Sequence, residues 1–367
     1  MKIFTWKLKQ IAVIILFSTV STFASANDGI VKDTDGNFMI TYSERISHST
    51  FHMLFIPATK IDPSVRSSWK LEDNAIGYRY KVRNGGLSKQ YLHLLMIEPV
   101  SSLISTPAIL PKPIDRLAYI DTLFDAARNS LRGPKSWGTD IIDIPSGFRL
   151  AWSISSENPD VPSGFPPGTG SDDFGYRSHD LPGLAIMRLR GCVIYPPDID
   201  TKYDTDEMLD PSLEVAKQFH ALENNDFVPR NAAVPTIAVP MPFDATILLE
   251  NIRAHVATWP GKQLLNPSYA AQLDRYIVAA ADAYRHNQFK AGKEHIESLR
   301  RLLEHEHKYL DHDDEDNDDT AEHKAATRLT IDRLAARVLD FDLRYVLKRT
   351  EKEHEHDHDE GDRKKDR

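Results

Sequence analysis

The densest coordination chemistry in this chain lies in one run, Glu304 to His323 (EHEHKYLDHDDEDNDDTAEH). Nine of the fifteen histidines fall at or after His286, at positions 286, 295, 305, 307, 312, 323, 354, 356 and 358. Imidazole with carboxylate is a donor set for Zn²⁺, Ni²⁺, Cu²⁺ or Co²⁺. If a helix continues through Asp311, then Glu304, His307 and Asp311 share one face at steps of three and four. His323, opening the next helix, would complete the set if the two helices run antiparallel. No HExxH or CxxC motif fixes such a geometry. A calcium loop counted from Asp311 places acids at Asp311, Asp313, Glu315 and Glu322. Asp316, however, stands where the EF-hand turn needs glycine, and Asp318 where an apolar residue packs. The run also reads as a solvated connector, because its ten acids between 304 and 322 repel one another and extend the chain. The tail EHEHDHDE is a second tract of metal-binding composition. A divalent metal ion, Zn²⁺ or Ca²⁺, is therefore the cofactor or partner this region would take.

Other chemistry is sparse. Ser178, His179 and Asp180 are consecutive, and three neighbours cannot converge as nucleophile, base and orienter. No GxSxG elbow, P-loop or GxGxxG occurs. The expectation is a non-enzymatic binding or structural protein. The alternative is a hydrolase or carbohydrate-active protein with its site in the Pro/Gly-rich stretch 156–183, expected to be a loop, where Asp172, Asp173, His179 and Asp180 cluster. His48, His52, His93, His179, His220 and His255 are isolated and read as surface or satisfied core residues. The single cysteine, Cys192, excludes an intramolecular disulfide and a Cys₄ zinc site, and is expected to be buried.

Other elements must position these residues. Residues 1–26 read as a signal peptide: Lys2, Lys7 and Lys9, an apolar core from Ile11 to Phe17, and Ala24-Ser25-Ala26. That implies a periplasmic or secreted protein, with no later apolar run of the ~18 residues a membrane span needs. A formal net charge of −9 argues against nucleic acid or an anionic membrane as partner. Residues 27–228 carry strand signals. Ile76, Tyr78, Tyr80 and Val82 alternate with Arg79 and Lys81, as in a half-buried strand. Asn84-Gly85-Gly86 then predicts a hairpin to Gln90–Ile97. Trp69 is expected in the core, and Leu117–Leu131 reads as a short helix.

Residues 229–243, with four prolines, read as a linker. Helical periodicity fills 244–349, interrupted by the insert 304–323. Asp244 and Asn266-Pro267 are start signals. Expected inward faces are Ile247, Leu248, Ile252 and Val256; then Leu273, Tyr276, Ile277, Ala280 and Tyr284; then Ile296, Leu299 and Leu303. A last helix over 321–349 turns Ile331, Leu334, Val338, Phe341 and Tyr345 inward. Residues 350–367 are expected to be disordered. The fold class is thus α+β and multidomain: an N-terminal antiparallel β-sandwich-like domain followed by a small helical bundle.

Two stretches also carry a resemblance. YRYKVRNGGLSKQYLHLLMIEP, with the later GSDDFGYRSHDLPG, resembles strands of β-sandwich modules in exported bacterial proteins. The order TILLENIRAHV, NPSYAAQLDRYIVAAADAY, NQFKAGKEHIESLRRLLE resembles the FIMAH helical module appended to bacterial extracellular proteins. The resemblance implies export and a helical module, and it implies no activity. The acidic, histidine-rich insert departs from that module.

Overall fold

The computed structural model describes residues 29–43, 50–72, 75–100, 125, 131–144, 147–154, 162–193, 215, 217–219, 221–222, 227–307 and 330–365. It is a mixed α+β protein with three antiparallel sheets followed by helices. The chain divides into two compact units, residues 1–55 with 196–220, and residues 56–195 with 221–367. The expected helix at 117–131 falls almost wholly outside the described residues.

The smaller unit holds β1 (Gly29–Lys32), β2 (Phe38–Ser43) and β3 (Thr50–Phe55) in the order β1-β2-β3. Ile40, Tyr42 and Phe55 are buried on one face, and Phe55 meets Phe219 edge-on at 5.0 Å. Val31, Met39 and Leu54 pair across the opposite face and are exposed.

The larger unit contains two sheets. The first orders β4 (Pro63–Glu72), β5 (Ala75–Asn84) and β9 (Gly170–Ser178) as β4-β5-β9. The second contains β6 (Leu92–Val100), β7 (Gly138–Ile144), β8 (Gly147–Ser153), β10 (Leu181–Gly191) and β11 (Val228–Ile237), in the order β11-β10-β6-β8-β7. The expected pairing of 76–82 with 90–97 does not form: β5 and β6 lie in different sheets. Between them Asn84 crosses over, donating through Nδ2 to the carbonyls of Gln90 (2.9 Å) and Phe165 (2.8 Å). Both β5 neighbours are long strands already in register, so β6 is free to pair with β8 and β10 instead.

Side chains from the two sheets meet. Trp152 stacks on Tyr176 at 6.2 Å and meets Phe174 edge-on. The Tyr80 hydroxyl donates to the Ala233 carbonyl (2.7 Å) and shares a hydrogen bond with the Tyr176 hydroxyl (2.8 Å). Ser67 Oγ accepts from Ala233 N at 3.1 Å. Both main-chain groups of Ala233, on the edge strand β11, are thereby satisfied by the other sheet. An open strand edge is otherwise a site of unwanted pairing.

Two stretches expected to be irregular are strands. Residues 228–237, most of the proposed linker, form β11. Its prolines Pro229 and Pro235 are tolerated because an edge strand needs donors on one side only. Residues 170–178 form β9, where Phe174, Tyr176 and Ser178 are buried alternately. The dense prolines end at Pro167, so the ladder beyond keeps its donors.

The helices are α1 (Ala245–Val256), a 3₁₀ turn (Pro260–Lys262), α2 (Pro267–Arg285), α3 (Phe289–Glu306) and α4 (Arg333–Lys365). Asp244 caps α1, accepting from Ile247 N at 3.0 Å, and Asn266 caps α2 through Ser268 N at 3.0 Å. Leu248, Ile252, Leu273, Ile277, Ile296, Leu299 and Leu303 are buried as expected, whereas Ile247 is exposed and Leu249 takes its place. The helices and the two sheets of this unit share one hydrophobic cluster. Trp69 of β4 lies under α4, 6.2 Å edge-on from Phe341, with the Arg337 guanidinium 5.1 Å above it. Among the described residues no helix is long and apolar enough to cross a membrane.

The last helix departs from expectation at both ends. It starts at Arg333, with Asp332 Oδ1 accepting from Ala335 N (3.1 Å); residues 321–329 are outside the described set. It continues to Lys365, through the segment expected to be disordered. That segment has no proline, half of it is Glu, Lys or Arg, and pairs such as Arg349–Glu353 (3.7 Å) brace the turn. Its buried face is also wider than one seam. α4 packs on α1, α3, β10 and β11, so Ala335, Leu339, Leu343 and Val346 are covered more fully than Leu334, Phe341 or Tyr345.

That width traps Asp342, 1% exposed, with Oδ1 lacking any hydrogen-bond partner. Burial first, and the nearby Asp340 carboxylate second, push the Asp342 carboxyl well above the usual carboxylate range. Asp340 itself is paired with Arg300 (2.7 Å) and Arg344 (2.8 Å). A raised carboxyl pKa in the folded state means stability is greatest at low pH and is lost as pH rises toward that pKa. Asp342→Asn should therefore raise the urea midpoint, by more at pH 7.5 than at pH 4.5. Equal gains at both pH values would show that the side chain is not held protonated.

Candidate functional site

The strict alternation of β5 that buries Ile76, Tyr78, Tyr80 and Val82 turns Gly77, Arg79, Lys81 and Arg83 to the other side. The neighbours obey the same rule. β4 turns Arg66, Ser68, Lys70 and Glu72 outward, and β9 turns Gly175 and Arg177 outward. A further bridge adds Arg132 beyond β9: Arg132 N donates to Gly175 O (2.8 Å) and Gly175 N to Arg132 O (3.0 Å).

The registers then place two rows side by side. In one, Gly175 is flanked by Arg79 on β5 and by Arg132. In the next, Gly77 is flanked by Lys70 on β4 and Arg177 on β9. Each row has a glycine in its centre and a cation on either side. The missing side chains leave a pocket of about 170 Å³, walled by Arg79, Arg132 and Arg177 and by Glu72, Asp172 and Asp173.

The two glycines differ in what they permit. A Cβ at Gly175 would stand 2.4 Å from the Tyr78 carbonyl oxygen, in rigid sheet backbone. A Cβ at Gly77 would meet the Glu72 carboxylate, 2.7 Å away at the end of a flexible side chain. Glu72 lies 3.2 Å from Lys70 Nζ and 3.7 Å from Arg177 Nε. The hydrogen bond from Lys70, with the charges of Lys70, Arg177 and Arg79, holds its carboxyl below the ordinary glutamate range. Ser171 Oγ donates to Asp173 Oδ2 at 2.9 Å. Among the described residues neither the Arg79 nor the Arg132 guanidinium takes part in an ion pair or hydrogen bond. Two unpaired guanidinium forks beside a glycine floor form a ready site for an oxyanion.

A larger cleft, about 570 Å³, opens between the start of α1, the α2–α3 turn and α4. Its charges are already engaged. Arg285 pairs with Glu250 at 2.6 Å and with Asp282, Glu353 with Arg349 at 3.7 Å, and Asp244 caps α1. That leaves it less able to hold a charged ligand than the pocket on the sheet.

The residues proposed from sequence are placed as follows. Glu304 is exposed near the end of α3, 3.6 Å from Arg300. His307 follows α3, and its Nε2 lies 2.9 Å from the Ile331 carbonyl. A carbonyl can only accept, so Nε2 carries the proton and Nδ1 alone could ligate a metal. Asp311 and His323 lie outside the described residues. Among the described residues no three His, Cys, Asp or Glu side chains stand together as a metal site. The residues on either side of 308–329 are nonetheless held together. Thr330 Oγ1 donates to Glu306 Oε2, Asn266 N donates to Thr330 O (2.9 Å), and Ile331 bridges Leu265.

The alternative acidic cluster comes apart. Asp172 and Asp173 line the sheet pocket, whereas Asp180, at the β9–β10 turn, is buried and accepts from Val239 N at 3.3 Å. His93 bonds Ser163 Oγ at 3.2 Å, and burial lowers its pKa. His255 Nε2 accepts from Leu184 N at 2.7 Å; burial, then the Lys262 charge, lowers its pKa to about 4. It is a neutral structural histidine. Cys192 is buried. His48 and His220 are outside the described residues. Of the cations of the pocket, Arg79 was visible in the sequence as part of the polar half of the alternation in RYKVR. Its convergence with Arg132 and Arg177 was not, because both are far from Arg79 along the chain.

Comparison of the chain with protein-family models, with curated proteins and with solved structures finds no match.

The unequal surroundings of the two glycines give a direct check on the site. Gly175→Ala should cost about 1–3 kcal/mol in urea unfolding by forcing β5 and β9 apart. Gly77→Ala should leave stability nearly unchanged, since only the Glu72 side chain must swing away. Similar costs for both would contradict this reading of the pocket floor.

Proposed function

We propose that this is a non-enzymatic binding protein whose ligand carries an oxyanion together with hydroxyl groups. The carrying observation is the pair of uncommitted guanidinium groups, Arg79 and Arg132, on either side of Gly175. Their fork geometry matches a carboxylate or phosphate-like group. Glu72, Asp172 and Asp173 at the same pocket accept hydrogen bonds, which suits ligand hydroxyls. Of the four residues of the hydrolase alternative, Asp172 and Asp173 line this same pocket, whereas Asp180 is buried at the β9–β10 turn.

The contacts of Tyr80 and Trp152 between sheets support a β-sandwich-like body, and the mutual packing of α1 to α4 supports a small helical bundle. The first 26 residues support export to the periplasm or beyond, and the helix order supports kinship with the FIMAH module. A second reading keeps weak divalent-cation binding in the insert. The contacts Glu306–Thr330 and His307–Ile331, which bring the two flanks of residues 308–329 together, favour it.

Calorimetric titration with galacturonate, inorganic phosphate and neutral galactose tests the first reading. Galacturonate should bind more tightly than either of the others. Arg79→Ala with Arg132→Ala should weaken it by about tenfold per lost guanidinium, the size of a charge-assisted hydrogen bond. Unchanged affinity, with the melting temperature preserved, would remove the pocket from consideration. Equilibrium dialysis against Zn²⁺ and Ca²⁺ tests the second: uptake should fall when residues 308–329 are replaced by a Gly/Ser linker, and equal uptake ends the metal reading.

A further inference from the structure

The pocket is the end of a longer cationic strip. Arg79, Lys81 and Arg83 follow one another at every second residue of β5, on the outward side. A strand advances ~3.4 Å per residue, so the three side chains stand ~7 Å apart and span ~14 Å. Arg66 of β4 pairs with Lys81 and widens the strip. Among the described residues Lys81 and Arg83 have no ion pair. On a chain of net charge −9, a face this basic stands against the overall balance. Like charges side by side also repel, a cost that an opposite charge relieves.

Resting on the pocket reading above, we infer that the β4–β5–β9 face binds a linear acidic polysaccharide, with one acidic sugar in the pocket and further carboxylates along Arg79, Lys81 and Arg83. The spacing fits a ligand with a repeated negative charge, because a single sugar reaching Arg132 cannot also reach Arg83. The residue types favour sugar over nucleic acid. The outward positions of β4 and β5 are serine, glycine, alanine and charged residues, with no aromatic ring on which a base could stack. Glu72, Asp172 and Asp173 at the pocket can accept hydrogen bonds from sugar hydroxyls, which a DNA backbone does not offer.

The test uses the full chain and oligogalacturonates of one to six units, with single-stranded DNA of matched charge as comparison, by calorimetry at low and moderate salt. Affinity should rise at least tenfold from the monomer to the hexamer, as multivalent contacts add, and should fall with salt. Lys81→Ala with Arg83→Ala should abolish that rise while leaving monomer affinity unchanged. Circular dichroism and the melting temperature verify that the variant is folded. Monomer binding with no dependence on length overturns the extended strip and leaves the pocket reading standing. A length dependence that survives the double variant also overturns it. No binding of any oligomer sinks both, and tighter binding of the DNA overturns the assignment to polysaccharide.

Discussion

The hydroxyl of Tyr80 holds the architecture to a narrow set of solutions. It is fully buried, and it must find partners where water cannot supply them. It finds the Ala233 carbonyl on the edge strand of one sheet and the Tyr176 hydroxyl on its own. Such a bond contributes only ~1 kcal/mol net, but leaving the groups unpaired would cost ~1–3 kcal/mol each. Burial raises the Tyr80 pKa well out of the physiological range, so the group acts as a fixed donor. Because Tyr80 must point inward, every second residue of β5 must too. The basic residues between them then have nowhere to go but the outer face.

The same coupling explains the pocket. A sheet face made only of long cations would be crowded and self-repelling. Gly77 and Gly175 interrupt it where adjacent strands bring four cations together, and Glu72 folds its carboxylate over one of the gaps. Gly175 also permits the close approach of the Tyr78 carbonyl, so it serves both the sheet and the pocket. Binding capacity and strand packing therefore rest on the same backbone positions.

The helical part is bound to the sheets through α4, which packs on sheet strands and on other helices at once. Trp69 beneath it is clasped by Phe341 and Arg337, and the buried Asp342 is the cost of covering a helix on several sides. His255 shows the opposite outcome: its ring nitrogen accepts the Leu184 amide, so a potential ligand becomes a structural fixture. Whether a polar side chain is functional or structural here depends on whether a backbone group reaches it first.

Local pattern alone determined much of this protein. The alternation in Ile76–Val82, the caps at Asp244 and Asn266, and the apolar stripes of α1 to α3 all follow from periods of two and 3.6 and from orphan backbone donors, which neighbouring residues decide. Tertiary structure decided the rest. Pro229 and Pro235 could join a strand because β11 has one unpaired edge, and no local rule says which strand will be an edge. β5 and β6 parted into different sheets because pairing partners come from far along the chain. Arg79, Arg132 and Arg177 became neighbours only through strand register, a long-range property that spacing along the chain does not encode.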